Sequence, residues 1–546
     1  MSWLSRLLGA RLGLPPPEVS DVLVERDLRV PMPDGVELLA DRYHAGTGGA
    51  QPTILMRSPY GRRGFWGLLY GHLFAERGFQ VLIQSCRGTF GSGGNFEPFR
   101  TERSDGLATL EWLRAQDWFD GRLAMYGGSY LGYVQWAIAE DAGPELKAIC
   151  TSITSSELRS ITYPGEALAL ESALGWVVAV DEQERAPLGV ARAIVLPDRR
   201  LRAAFDTLPL GEADWMALGK ELPHWEEWVR HDQPGDPWWD AVDHRDSVGR
   251  VTAPDHLIGG WYDLFLPHTI RDYTALVEAG RQPYLTIGPW SHTHPGISTT
   301  AIPEALAWFR AHLLGQPDLL RQAPVRVFVL GTREWRDLPG WPPPGASERR
   351  WHLQPAGGLS PHPPPESPPD RYLYDPASPT PSIGGAGMGA VTGPRDNRKL
   401  EARPDVLCYT TPPLERDLEV MGRVAVELFV SSSLPFTDFF ARLCDVDPAG
   451  RSVNVSDALV RVVPGRPAAL EDGSLRLEIE LWPTACRFQR GHRLRLQVSS
   501  GAHPRWARNP GSGEPLAVAA TLCAAEQAVH HDPEHPSALV LSVARG

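Results

Sequence analysis

"GRLAMYGGSYLGYVQWAIA", residues 121–139, passes from a short apolar run through two glycines and Ser129 into a stretch of helical character. Strand, turn and helix in that order are the context of a nucleophile elbow, where small residues let the backbone turn sharply and lift a serine hydroxyl above a sheet edge. The strict G-x-S-x-G spacing is not met: Leu131 stands in the second glycine's place and Gly132 comes one residue later. On this stretch alone, Ser129 reads as a nucleophile or as a helix N-cap.

Working outward, "VERDLRVPMPDGVELLADRYH" (24–44) predicts a hairpin around a Pro-Asp-Gly turn. "TILMRSPY" (53–60), a helical stretch over 68–77, "FQVLIQ" (79–84) and a helix over 105–114 follow. Short apolar strands alternating with amphipathic helices indicate an α/β domain with a mostly parallel, buried sheet. The rhythm stops near residue 150. Residues 151–240 lack a run of strands and are rich in Ala, Leu, Glu and Trp, which predicts a helical insertion. It then resumes with "HLIGGWYD" (256–263), a helix over 267–278, "YLTIGPWSH" (284–292), a helix over 303–314 and "VRVFVLG" (325–331). A helical block inside such a fold is a lid over the carboxyl edge of the strands, where ligands bind.

Prolines crowd residues 339–370 and suggest an exposed connection. Beyond it the period becomes two: "RVAVELFV" (423–430), "LRLEIELW" (475–482) and "HRLRLQVSS" (492–500) alternate apolar and polar residues. The expected architecture is an α/β-hydrolase domain from 1–150 and 241–345, a helical cap over 151–240, and a C-terminal jelly-roll β domain over 346–546.

A chain of 546 residues exceeds one ordinary core, and about three domains is the expectation. The net charge of −13 argues against nucleic acid or an anionic membrane as the main partner. Nineteen tryptophans suggest aromatic walls around an apolar pocket. The six cysteines show no CxxC spacing and read as buried thiols in a reducing compartment. Arg6 and Arg11 interrupt any signal-peptide core in the N-terminal stretch, and no later run approaches membrane-spanning length, so a cytoplasmic location is expected.

A catalytic serine needs a base and an orienting acid. α/β hydrolases supply them in the order Ser, acid, His, each on a loop after a strand. Asp263 follows one apolar strand and His292 follows the next. His292 would take the Ser129 proton, and Asp263 would hold the imidazole tautomer. Taken singly, Asp263 could cap the next helix, and His292 with His294 could be half a metal site, although no third ligand stands at helical or hairpin spacing. Oxyanion donors are the Tyr130 N–H, just after the serine, and the hydroxyl of Tyr60 on the loop after an early strand. Tyr60 alone could equally be a packed strand-end tyrosine.

"RSPYG" (57–61), "GGSYLG" (127–132), "GGWYD" (259–263) and "GPWSH" (288–292) together resemble the cocaine-esterase-like hydrolases, a branch of the family that also holds X-prolyl dipeptidyl peptidases and α-amino-acid ester hydrolases. The likeness continues through "QSCRGTFGSGGNF", "YDPASPTPSIGG", "VLCYTTPPLERDLEV" and "GHRLRLQVSSGAHPRWARN", nearly the whole chain. The resemblance implies the same three zones. It carries Ser129, Asp263 and His292 over as the triad, and Tyr60 with the Tyr130 amide as the oxyanion hole. Trp176 falls where similar esterases place an acyl-pocket tryptophan and Phe265 where they place an aromatic wall; each is also compatible with a core position. Two departures stand out. Relatives often have "QDxRG" where this chain has Ser85 and Cys86. α-Amino-acid ester hydrolases follow their triad Asp with ammonium-binding acids, whereas Leu264, Phe265 and Leu266 cannot compensate a cation.

The sequence therefore reads as a serine hydrolase that cleaves carboxylic esters through an acyl-enzyme, with a preference for aromatic or bulky acyl groups. Its partner would be a small-molecule ester or a short peptide, with no cofactor, metal, nucleic acid or membrane, and a homodimer is left open. The alternatives are an X-Pro dipeptidyl peptidase or α-amino-acid ester hydrolase, needing an ammonium-binding carboxylate such as Glu166, Glu171 or Asp181, and a binding protein with a vestigial triad. "GSGGNF" lacks the Lys-Ser/Thr of a phosphate loop and reads as a glycine turn. "HHDPEHP" (530–536) reads as an exposed polar tail, with metal binding as the lesser reading.

Overall fold

The apolar runs pair into two sheets in a computed structural model of the chain, which describes residues 3–46, 50–184, 199–389 and 391–544. The first sheet holds β1 (Val22–Pro31), β2 (Glu37–Ala45), β3 (Gln51–Ser58), β4 (Gln80–Ser85), β5 (Phe119–Gly128), β6 (Leu146–Ser152), β7 (Asp255–Tyr262), β8 (Tyr284–Ser291), β9 (Val325–Val329) and β10 (Glu334–Leu338). Their order is β1-β2-β4-β3-β5-β6-β7-β8-β9-β10. From β4 to β9 the pairing is parallel, with antiparallel strands closing both ends. All residues of β4 and β7 are buried, as in a sheet covered on both faces, whereas edge strand β1 is largely accessible.

Local details follow from particular residues. The segment expected to be helical over 68–77 opens as a widened π-turn, Gly67–His72, before one α-turn, Leu73–Ala75. Gly67 and Gly71 lie against Tyr43, where added Cβ atoms would come within 2.3 and 2.7 Å of its side chain. The helix expected from Pro303 begins seven residues earlier and spans Gly296–Leu313, with Pro303 inside it. Proline favours a first turn because it lacks an N–H, but tertiary packing of Ile297, Ala301 and Ile302 outweighs that preference.

Between β6 and β7 the described residues form helices and short turns, including Arg159–Thr162, Leu170–Glu182, Arg199–Phe205, Ala213–Leu218 and Pro223–Arg230. A second run of strands follows in the C-terminal part with β11 (Ser347–Gln354), β12 (Gly358–Ser360), β13 (Asp370–Tyr374), β14 (Leu407–Thr410), β15 (Leu418–Ser432), β16 (Thr437–Val446), β17 (Ser452–Val462), β18 (Leu475–Phe488), β19 (Arg493–Ser499), β20 (Ala525–His530) and β21 (Ala538–Val543). One run of pairings joins β11, β21, β15 and β18; another joins β14, β19, β16 and β17, with short β12 connecting them. Val424, Val426 and Leu428 of β15 share one core with Phe439 and Leu443 of β16 and with Leu494 and Leu496 of β19. Period two sets this register, because a one-residue slip would turn Arg423 and Glu427 inward.

The proline-rich connection is not wholly exposed: Trp341 within it is buried against Trp261, ring centroids 5.5 Å apart. All six cysteines are free, and Cys86, Cys150, Cys444 and Cys486 are buried as expected, but Cys408 and Cys523 are only half-buried. Among the described residues, no helix is long and apolar enough to cross a membrane. "HHDPEHP" is no tail: it ends β20 and turns into β21, with His531 buried.

Candidate active site

Four strands of the first sheet end in the residues singled out by the sequence. Ser129 directly follows β5, Asp263 follows β7, His292 follows β8, and Tyr60 stands two residues past β3. Because these strands are parallel, all four lie along one carboxyl edge.

Ser129 sits at φ 58°, ψ −124°, a region that an L-residue occupies at a cost on the order of 1–3 kcal/mol. Its N–H donates to the Ser152 carbonyl at 2.9 Å, and its carbonyl accepts from Thr154 Oγ1 at 2.8 Å, so β6 and its loop hold the strained turn. The displaced glycine spacing has a steric reason. A Cβ on Gly127 would come within 2.3 Å of the Leu131 Cβ, and one on Gly132 within 2.5 Å of Thr154. The close approaches of this elbow thus fall at 127 and 132, which leaves room for Leu131 between them.

The Ser129 hydroxyl lies 3.1 Å from His292 Nε2, and His292 Nδ1 lies 2.7 Å from Asp263 Oδ1. Asp263 is fully buried. A carboxylate can only accept, so it takes the Nδ1–H and leaves Nε2 as the acceptor for the serine proton. Tyr60 reaches the same spot. Its hydroxyl oxygen accepts from Trp176 Nε1 at 2.9 Å and interacts with Ser129. Burial pushes its pKa up to about 12, against the opposing bonds from Trp176 and Ser129, so it is a neutral donor throughout the working pH range. The Tyr130 N–H opens the helix Tyr130–Ala139 and has no carbonyl four residues back within it. The Tyr130 hydroxyl points elsewhere, donating to Glu102 Oε1 at 2.7 Å and accepting from the Phe99 N–H at 2.9 Å. Glu102 is itself paired with fully buried Arg57 at 2.9 Å.

Two recesses meet at Ser129, sharing Tyr60, Trp176 and Met388. The first is apolar, walled by Phe99, Tyr133, Trp228, Leu264 and Phe265, with no carboxylate among the described residues. Tyr130, Trp176 and Trp228 stack in it, with centroids 6.1 and 5.8 Å apart at 14° and 10°. The second, wider recess is bordered by Phe65, Trp66, Tyr70, His292, His294 and Glu184. Trp176 and Phe265 therefore both line the apolar recess, and the Phe265 ring lies 5.3 Å from His292.

The candidate ammonium-binding acids lie elsewhere. Glu166 pairs with Arg159 at 2.6 Å and Asp181 with Lys220 at 2.5 Å. Glu171, whose carboxyl burial pushes up, lies under the loop at Gly389. None of the three lines either recess beside Ser129. His294 Nδ1 accepts from the Gly296 N–H at 3.0 Å, and the His292–His294 pair gathers no third ligand among the described residues. Where relatives have Asp, the Ser85 hydroxyl accepts from Arg62 Nη1 at 3.0 Å. Burial and the neighbouring Glu102 push the Cys86 thiol well up, so it is no nucleophile.

Phe99, Trp228 and Met388 escaped the sequence reading. Met388 comes from the C-terminal β-rich part, on a loop whose Gly387 carbonyl accepts the His292 N–H at 3.4 Å and whose Met388 carbonyl accepts from Thr293 Oγ1 at 3.2 Å. The available signal was the glycine cluster in "SIGGAGMG" (382–389), which permits a close backbone approach.

Comparison with known proteins places these features in context. Residues 34–294 match the X-Pro dipeptidyl-peptidase (S15) family, and residues 319–540 match the X-Pro dipeptidyl-peptidase C-terminal non-catalytic domain. The chain is 35% identical to a cocaine esterase of Rhodococcus sp. (strain MB1 Bresler), over 95% of this chain and 98% of that one. Its fold is shared with an aminopeptidase from a marine-sediment Thaumarchaeota archaeon, with 21% identity, 97% and 98% of the two chains covered and a TM-score of 0.83. It is shared also with an α-amino acid ester hydrolase, with 22% identity, the same coverage and a TM-score of 0.82.

Proposed function

The chain belongs to the serine-hydrolase family of the X-Pro dipeptidyl-peptidases (S15) and cocaine esterase and cleaves esters, and we propose that it does so through an acyl-enzyme on Ser129. The observation that carries this reading is the hydrogen-bonded series Ser129–His292–Asp263 at the mouth of an apolar recess. Ser129 Oγ attacks the ester carbonyl while His292 Nε2 takes its proton. The Tyr60 hydroxyl and the Tyr130 N–H hold the oxyanion, and Asp263 stabilises the imidazolium. His292 then gives the proton to the leaving alcohol. Water, deprotonated by the same nitrogen, releases the acid and restores Ser129.

A general acid must reach the leaving oxygen, so the wide recess bordered by His292 receives the alcohol and the apolar recess receives the acyl group. We read residues 151–240 as the helical cap over a catalytic domain of 1–150 and 241–345, and 346–546 as a jelly roll whose Met388 loop closes the site. Trp176 has two parts in this scheme: it walls the acyl site and orients the Tyr60 oxygen.

An apolar acyl recess with no carboxylate among the described residues favours esters over peptides with a free N-terminus. Purified protein should turn over p-nitrophenyl benzoate and butyrate faster than acetate and leave Gly-Pro-p-nitroanilide uncut. A strict acetate preference would sink the acyl-site reading, and anilide cleavage would move the chain to the peptidase activity.

Tyr60→Phe removes one oxyanion donor and keeps the ring. It should lower kcat about 10²–10³-fold. Since the hydroxyl stays protonated to about pH 12, wild type should show no alkaline loss of rate near pH 10 that disappears in the variant. Such a loss, or an undiminished kcat, counts against the role.

A further inference from the structure

The turn between β20 and β21 brings together side chains that the esterase site does not use. One ligand atom from each of His530, Asp532 and His535 lies within 4.8 Å of the others. The His530 and His535 rings are 5.2 Å apart. We propose that this turn is a binding site for a divalent transition-metal ion of borderline softness, Zn²⁺ above all, with His530, Asp532 and His535 as its ligands.

The geometry around His535 carries the inference. Its Nδ1 faces Asp532, at 3.1 Å from Oδ1 and 3.2 Å from Oδ2, while its Nε2 faces Asp472 Oδ2 at 3.0 Å. A neutral imidazole has one N–H and cannot donate to carboxylates on both sides. A proton or a metal cation at Nδ1 removes the conflict, and the second imidazole 5.2 Å away beside the same carboxylate favours the metal. Nε2–H donates to Asp472, and Nδ1 offers its lone pair to the metal. A carboxylate behind a ligating histidine is the usual outer partner of such a ligand, fixing its tautomer and raising its basicity.

The other two ligands are held ready in the same way. Asp532 Oδ1 accepts from the Glu534 N–H at 2.9 Å and the His535 N–H at 3.0 Å, which orients the carboxylate, and Oδ2 takes no backbone N–H of the turn. His530 Nε2 lies 2.9 Å from Ser431 Oγ on β15, leaving Nδ1 as the nitrogen free to ligate. Two imidazoles and one carboxylate are a donor set that Zn²⁺ accepts, with a fourth position for water. Asp472 lies in the connection from β17 to β18, so the ion would tie that turn to the β20–β21 turn through His535. The site is structural, and none of these residues borders either recess at Ser129.

Titration of tag-free, EDTA-treated full-length protein with Zn²⁺, followed by calorimetry and thermal unfolding, tests this. One saturable site is expected, with a melting temperature that rises with Zn²⁺. His530→Ala/His535→Ala should lose that site while keeping ester hydrolysis, which reports the intact fold; His535→Gln replaces it if alanine perturbs the turn. Asp472→Asn should weaken binding about 10–100-fold. Absence of saturable binding in the wild type, or the same stoichiometry and affinity in the histidine variants, overturns the site. Wild-type affinity in Asp472→Asn overturns the part assigned to that carboxylate.

Discussion

Ser129→Ala is expected to bring ester hydrolysis down by about 10⁶-fold in kcat, leaving only the residual rate that binding and the oxyanion donors sustain. The substitution isolates chemistry from folding. Ser129 is held at φ 58°, and the strain there comes from having a Cβ at all, which alanine shares. The anchoring bonds, Ser129 N–H to Ser152 and Thr154 Oγ1 to the Ser129 carbonyl, use only backbone atoms of residue 129 and survive. Only the hydroxyl facing His292 is lost. Thermal unfolding should therefore stay close to wild type while a fluorophosphonate probe no longer labels the protein. More than a few per cent of residual turnover would mean that another group attacks the ester. Buried Cys86, its thiol pushed up, is not equipped to be that group.

The second large effect is expected at Asp263. Asp263→Asn keeps the volume but adds an amide donor, and should lower kcat about 10⁴-fold. With an N–H aimed at Nδ1, the imidazole carries its proton on Nε2, the nitrogen that must accept from Ser129. Asp263 is fully buried and 2.7 Å from His292, so water cannot easily take its place. Because the defect lies in proton transfer rather than in either recess, KM should change little. Steady-state kinetics on one p-nitrophenyl ester give both parameters. A loss below tenfold, or a change confined to KM, would remove Asp263 from the proposed series.

These positions were legible because each chemical group directly follows an apolar run. Once "LAMYGG", "HLIGGWY" and "YLTIGPWS" are read as parallel strands, Ser129, Asp263 and His292 must fall on one edge, whatever lies between them. The alternating C-terminal segments were legible for a similar reason, since period two marks a half-buried strand without any knowledge of its partners. What stayed hidden depends on contacts distant in sequence. The helix at Gly296–Leu313 ignores the usual preference of Pro303 because packing against the sheet outweighs a single residue's propensity. No local pattern shows that Glu166 turns to Arg159 and Asp181 to Lys220, and so away from the site. Met388 was invisible as well, lying 96 residues beyond His292 in a segment readable only as a glycine-rich loop.

That loop divides authority over the reaction. In the proposed scheme the first sheet fixes which bond can break, because Ser129, His292 and Asp263 all follow its strands. A residue from the domain matched as non-catalytic touches both recesses, and so has a say in which molecules qualify. Selectivity can then drift along a short, mostly buried loop while the chemistry stays under strict constraint. A lineage could change its diet by revising 382–389 and leave its catalytic core untouched.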